Sequence, residues 1–142
     1  MEAFEHLVKV MLESQGYVVT TNVKFPVRRK TKNGQYQTHG YEVDIVGAKH
    51  NSLILGSVKS FLGSVGVSRK GFQDIGPEDS RDFSHYKLFN DELLCNEVFK
   101  KAYERYGYPV EQIRLVLYVG KFKNSENTLR SFGLAGFLQK VA

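Results

Sequence analysis

The spacing of apolar residues along the chain alternates between the helical and the strand period. Apolar side chains recur every three or four residues over 1–15, which predicts an amphipathic helix that ends at Gly16. Runs of β-forming residues predict strands over 17–31, 36–47, 53–60 and 113–120. Further apolar stripes predict helices over 78–106, with a break at Asn90 and Asp91, and over 129–141. This order, αβββαβα, predicts an α/β fold with a central mixed sheet flanked by helices.

Polar residues concentrate in a predicted hairpin of the strands 42–48 and 53–60. The segment from Lys49 to Ser52 is polar and turn-forming, which suits a four-residue loop. That loop predicts three facing pairs: Ala48 with Leu53, Asp44 with Ser57, and Glu42 with Lys59. The opposite face is predicted to carry Val43, Ile45, Ile54 and Val58.

Two interpretations of these polar pairs stay open. Charge at the end of a buried sheet is costly unless it has a function, which favours a functional site. The same pairs also fit a cross-strand ion pair and a hydrogen-bonded pair that only stabilise the hairpin modestly.

Taken with the first helix, this hairpin resembles the PD-(D/E)XK nuclease superfamily. Asp44 matches the metal-binding Asp of that family, Lys59 its catalytic Lys, and Glu5 the Glu of its first helix. Two positions depart from the family pattern, because Ser57 stands where the family usually has Glu or Asp, and Val43 replaces the proline before Asp44. The resemblance covers residues 1–60, and the remainder follows the family only in the order of its elements.

The resemblance implies a restriction-endonuclease-like fold and a divalent-metal-dependent DNA endonuclease that hydrolyses phosphodiester bonds. Mg²⁺ is the implied cofactor and Mn²⁺ a substitute, because phosphodiester hydrolysis needs a hard cation with oxygen ligands. The implied ligands are Asp44, the Val58 carbonyl and Ser57, with Glu42 and Glu5 completing the outer shell or replacing the missing carboxylate. Lys59 is implied to activate water and to stabilise developing charge. Because cutting two strands needs two sites, the family analogy also implies a homodimer.

Clusters of basic residues favour DNA as the partner. The chain has 20 Lys and Arg against 15 Asp and Glu, a net charge of +5. The predicted DNA contacts are Arg28, Arg29, Lys30 and Lys32, beside an Asn33-Gly34 hairpin turn, and Arg69 and Lys70, in the Gly-rich segment 61–77. The alternative is a solvated surface that keeps an edge strand soluble.

Length and composition bear on the number of domains, on disulfide bonds and on membrane association. A chain of 142 residues fits a single domain over 1–142. The lone Cys95 excludes an internal disulfide, and no apolar run reaches the about 20 residues of a membrane span. Charged residues interrupt the N-terminus, so we expect no signal peptide and a cytoplasmic protein without a membrane partner. The Gly-rich segment lacks Walker-type spacing, so we expect no nucleotide cofactor.

Two functions other than an active nuclease stay open. Ser57 suggests a catalytically weak or inactive nucleic-acid-binding module of the same fold. The chain also fits a structural subunit of a larger nuclease complex.

Overall fold

A computed structural model describes residues 3–59, 87–119 and 136–141 of the chain. Their helices are α1 (Ala3–Ser14), α2 (Lys87–Asn90) and α3 (Glu92–Tyr106), with a 3-10 turn at Val110–Gln112. Their strands are β1 (Val18–Lys30), β2 (Tyr36–Lys49), β3 (Ser52–Lys59), β4 (Ile113–Val119) and β5 (Gly136–Val141). The predicted first helix, the three-strand series and the later buried strand are therefore confirmed, each to within a few residues.

The described strands form one mixed sheet in the order β1-β2-β3-β4-β5. Only β3 and β4 run parallel, and the other neighbouring pairs are antiparallel. A parallel pair needs a crossover, and α2 and α3 lie in the chain between these two strands. The structure thus confirms an α/β fold with a mixed sheet. The finer restriction-endonuclease-like assignment stays a prediction.

The predicted closing helix over 129–141 is wrong for its last residues, because Gly136–Val141 is a strand that pairs antiparallel with β4. Nearly every residue of β4 is buried, so the backbone groups on both of its edges need partners. β3 satisfies one edge and β5 the other. A short apolar run such as Phe137, Leu138 and Val141 fits either period, which is why its spacing misled the prediction.

Buried residues form a core on each face of the sheet. The α3-side core contains residues of α2, α3 and four strands: Val23, Phe25, Val27, Val43, Val46, Leu53, Leu55, Leu88, Phe89, Leu94, Val98, Phe99, Ala102, Ile113, Leu115, Leu117 and Val119. The α1-side core contains Val8, Leu12, Tyr17, Ile45, Ile54, Val116 and Tyr118. β4 contributes alternate residues to both cores, which confirms that it is covered on both faces.

Partway along the β1–β2 pair, the face of the two strands that packs against a core changes, and we call this change the face exchange. In β1, Val19 packs against the α1-side core but Val23 belongs to the α3-side core. In a regular strand these two side chains, four residues apart, would lie on the same face. In β2, Ile45 and Val43 divide between the cores in the same way, so the prediction that they share a face is wrong. The exchange lies where the ladder between the two strands skips a pair, at Asn22 and Asp44. Asn22 has φ of 54°, a left-handed value that Asn tolerates better than most residues and that rotates the strand.

Local capping chemistry sets the other boundaries. Asp91 caps α3 by accepting a hydrogen bond from the Leu94 backbone N–H at 3.1 Å, and Gly107 ends that helix with φ of 79°. The break predicted at Asn90 and Asp91 is therefore confirmed. Ala48 pairs with Leu53 as predicted, but Lys49 and Ser52 pair as well, so the loop has two residues and not four. None of the helices in the described ranges is long and apolar enough to cross a membrane.

Candidate active site and nucleic-acid interface

The β2–β3 ladder stops short of the last three residues of β3, and we call this edge of β3, at residues 57–59, the opening. The ladder between these strands ends at the pair Ile45 and Gly56, whereas β3 continues on β4 as far as Lys59. The face exchange at Asp44 is the physical reason, because the rotated β2 no longer runs alongside β3 beyond that residue. Within the described residues, β2 therefore gives no ladder partner to the edge of β3 at residues 57–59.

The carboxylate of Asp44 lies in this opening. Its Oδ2 accepts a hydrogen bond from the Val58 backbone N–H at 2.8 Å, in the place where a ladder bond would otherwise form. The N–H and C=O groups of one strand residue point to the same edge, so the Val58 carbonyl also faces the opening. An Asp carboxylate and a backbone carbonyl are ligands of the kind that Mg²⁺ prefers, and these two predicted ligands therefore fit a hard cation.

Ser57 and Lys59 alternate with Val58 along β3 and lie on the opposite side of that strand. They share the parity of Leu53 and Leu55, which belong to the α3-side core, and both are partly buried. The predicted placement of Ser57 and Lys59 on the face of Leu53 is thus confirmed. Ser57 is not, however, a ladder partner of Asp44, because the ladder has already ended.

Glu42 does not join the other predicted site residues. Its side chain is exposed and accepts a hydrogen bond from Asn22 Nδ2 at 2.9 Å, across the β1–β2 pair. Both Glu42 and Lys59 lie in the described part of the chain, and no ion pair joins them there. The predicted facing of these two residues is therefore wrong, because β2 leaves β3 before reaching Glu42.

Glu5 lies in the first turn of α1 and is partly buried. The helix packs its buried residues Val8 and Leu12 into the α1-side core, against which Phe4 and Val58 are also packed. Glu5 thus lies on the α1 side of the sheet, whereas Lys59 lies on the same face of β3 as Leu53 and Leu55, which is the α3 side. No hydrogen bond or ion pair links Glu5 to Asp44 or Lys59 within the described residues, and its role stays a prediction.

A second group of polar residues surrounds Tyr41 on the α3 side of the sheet. Arg29 and Asp91 form an ion pair at 3.3 Å, which ties β1 to the start of α3. Tyr41 packs at the edge of the α3-side core. Burial, then the nearby charge of Asp44, raises the pKa of Tyr41 to about 12, while Arg29 acts in the opposite direction and Asp91 adds a smaller rise. Tyr41 therefore stays a neutral phenol beside the Asp44 carboxylate at physiological pH.

The described residues give an incomplete set of metal ligands. No group of three or more His, Cys, Asp or Glu side chains gathers in residues 3–59, 87–119 and 136–141. Asp44 and the Val58 carbonyl are the donors that share the opening. Mg²⁺ often retains several waters and binds through one or two carboxylates, so a two-donor site is chemically reasonable but weak.

The outer halves of β1 and β2 form a two-stranded arm, residues 23–43, whose ends are the Asn22–Asp44 exchange and the turn 31–35. Its inner face carries Val23, Phe25 and Val27 into the α3-side core. Its outer face is exposed, and Arg28 and Lys30 project from it. This face is the part of the predicted DNA interface that the structure describes.

The other residues that were predicted to contact DNA lie in different environments. Arg29 has the parity of the inner face and is paired with Asp91, so its charge is already compensated. Lys32 is exposed in the turn, where Gly34 takes φ of 79°. A hairpin turn therefore forms at Asn33-Gly34 as predicted, but five residues, 31–35, separate the strands and only the glycine has a positive φ. Arg69 and Lys70 lie outside the described residues, as does the predicted loop 61–77.

Four residues that matter to this region were not among the predicted site residues. Asn22 rotates β1, Tyr41 lies near Asp44, Asp91 pairs with Arg29, and Tyr36 occupies the outer face of the arm. The available signal for Asn22 was an asparagine within a run of Val and Thr, which are much better strand formers. No comparable signal marked Tyr41, because its neighbourhood depends on the rotation of β2.

Comparison with known proteins finds no protein-family model and no curated protein that matches the chain. The nuclease resemblance therefore rests on the sequence motif in residues 1–60 alone.

Proposed function

We propose that this protein is a divalent-metal-dependent DNA endonuclease whose active site lies at the opening between β2 and β3. One observation carries the proposal, the hydrogen bond from the Val58 N–H to the Asp44 carboxylate at 2.8 Å. It puts an acidic side chain beside the middle residue of Ser57-Val58-Lys59, at the end of a buried sheet. The hydrogen bond offsets part of the cost of burying this carboxylate and holds it next to the backbone of Val58, whose carbonyl is the second proposed ligand.

Each residue of the proposed site has a separate role. Asp44 and the Val58 carbonyl would hold a divalent cation, and that cation would supply charge neutralisation on the phosphoryl oxygens and a water of lowered pKa. Lys59 follows Val58 directly and carries an ammonium group that stabilises negative charge developing on the phosphate. Exposed cations on the outer face of the arm hold the substrate by its phosphates, so that binding and chemistry occupy different parts of the chain.

Nicking of supercoiled plasmid tests the proposal. Asp44→Asn and Lys59→Met should each slow nicking in Mg²⁺ or Mn²⁺ by about 100-fold or more, and EDTA should abolish it. Lys100→Met is the matched control, because Lys100 is an exposed lysine on α3, and it should cut at the wild-type rate. Wild-type rates in either site variant would refute the assignment. Single-stranded and branched DNA, run beside the plasmid, define the substrate.

A nucleic-acid-binding module without cleavage is the second candidate. It is favoured by the observation that the described residues hold no group of three acidic or imidazole ligands, and that Ser57 occupies the position where the family usually has an acid. This candidate predicts that the wild-type protein retards DNA in a gel but leaves the plasmid intact in both metals. Binding without nicking would replace the first proposal by this one.

A further inference from the structure

An exposed aromatic side chain stands among the cations of the arm. Tyr36 is the first residue of β2 and is 60% exposed. It pairs with Lys30 at the end of β1, and the guanidinium carbon of Arg28 lies 4.4 Å from the centre of its ring. The register puts all three side chains on the outer face of the arm.

Neither core accounts for the position of this ring. The α3-side and α1-side clusters do not include Tyr36, and its turn is already specified by Gly34. Charged residues suffice to keep an exposed strand soluble, so solubility alone does not explain a ring at this position. An aromatic ring interleaved with Arg and Lys is, in contrast, typical of surfaces on which nucleic-acid bases stack.

We propose that the outer face of the arm binds an unpaired base, which stacks on the Tyr36–Arg28 pair while Arg28 and Lys30 neutralise the phosphates beside it. The inference rests on the proposed function only in requiring that the arm binds DNA. It assigns a substrate class, namely DNA with single-stranded segments, such as a single strand or a branched molecule.

The geometry favours an unpaired base over a paired one. Inside a duplex both faces of each base are covered by its neighbours, so a protein reaches only the base edges in the grooves. Arg28 lies over one face of the Tyr36 ring, and a base would contact the other face only where that base is unstacked. Arg28 can also take part, because a guanidinium plane that covers one side of the ring presents its own outer side, on which bases stack as well.

Binding of two DNA probes by matched variants tests this inference. The probes are a fluorescein-labelled oligothymidine of about 16 nucleotides and a blunt duplex of the same length, with fluorescence anisotropy as the readout. Tyr36→Ala should weaken binding of the single strand about fivefold or more and leave the duplex affinity within about twofold. Tyr36→Phe keeps the ring and should bind both probes like wild type. Tyr103→Ala is the control, because Tyr103 is a similarly exposed tyrosine on α3, at 58%.

A second readout reports stacking directly. A single 2-aminopurine in the oligothymidine should lose fluorescence on binding wild type or Tyr36→Phe, and should keep it on binding Tyr36→Ala. Circular dichroism checks that each variant is folded, which we expect because the side chain is exposed. Quenching by the Ala variant, or an equal loss of affinity for both probes, would overturn the inference.

The outcomes separate this inference from the proposed function. If wild type binds neither probe, both fail. If wild type binds and nicks DNA but Tyr36→Ala keeps its single-strand affinity, only the stacking inference fails. If Tyr36→Ala loses single-strand affinity while the protein cuts nothing, the stacking inference stands and the endonuclease proposal falls.

Discussion

Replacing Asp44 with alanine should destabilise the fold as well as abolish the proposed activity. The carboxylate does the work of a ladder partner, because its Oδ2 accepts the Val58 N–H at 2.8 Å where the β2–β3 ladder has ended. Alanine leaves that partly buried donor without this acceptor. Asparagine keeps an oxygen at the same place and removes only the negative charge.

The magnitude follows from the strengths of the two hydrogen bonds. A bond to a charged acceptor contributes about 1.5–3 kcal/mol and a neutral one about 0.5–1.5 kcal/mol. Asp44→Ala should therefore lower the free energy of unfolding by about 2 kcal/mol and Asp44→Asn by about 1 kcal/mol. With a urea m-value of about 2 kcal/mol/M, the unfolding midpoint falls by about 1 M and about 0.5 M respectively.

Urea titrations followed by circular dichroism measure these midpoints. Glu42→Ala serves as the control, because that carboxylate is exposed and its hydrogen bond to Asn22 lies at the surface, so its midpoint should change by less than about 0.25 M. If Asp44→Ala unfolds at the wild-type urea concentration, the hydrogen bond to Val58 does not contribute to the free energy of unfolding. If the Asn variant is as unstable as the Ala variant, the charge and not the hydrogen bond is responsible.

Three further measurements examine other parts of the molecule. Arg29→Glu puts a second carboxylate beside Asp91 and should cost about 1 kcal/mol of stability, with little change in the salt dependence of DNA binding, because this arginine is already paired. Ser57→Glu should tighten Mn²⁺ binding in calorimetry by about tenfold or more, since even outer-shell groups change metal affinity by about 10- to 100-fold. Burial raises the pKa of both Tyr41 and Tyr118 to about 12 from the ordinary 10.0. The unfolded chain therefore loses these protons first, and stability should fall as the pH rises from about 10 to about 12, with a shallower fall in Tyr41→Phe and Tyr118→Phe.

Local chemistry made most of the fold predictable from the sequence. Gly16, the Asn33-Gly34 turn, Asp91 and Gly107 each mark a boundary through a backbone conformation or a cap that depends only on neighbouring residues. The register of the central hairpin was predictable for the same reason, because its turn fixes Ala48 opposite Leu53. The last strand was not, since its partner β4 is distant along the chain and its own apolar residues fit either period.

The candidate site was less predictable because it depends on a change of twist. Strict alternation extends the β2–β3 pairing to Glu42 and Lys59, but the left-handed Asn22 rotates β1 and β2 before that point. Asp44 therefore meets the backbone of Val58, one residue along from the predicted Ser57. The alternation of side chains between the two faces of β3 does not depend on this rotation, so Ser57 and Lys59 were predicted on the correct face.

The exchange at Asn22 also explains how one hairpin serves two purposes. It opens the edge of β3 at Asp44, and it turns the remainder of β1 and β2 into an arm with one face on α3 and one face exposed. From Asp44 to Tyr36 the strand spans eight residues, or about 27 Å at about 3.4 Å per residue. In B-form DNA this is the length of about 8 nucleotides along the axis. A ligand that engages both the opening and the tip must therefore be a polymer, so the two proposals together require an oligonucleotide and not a mononucleotide.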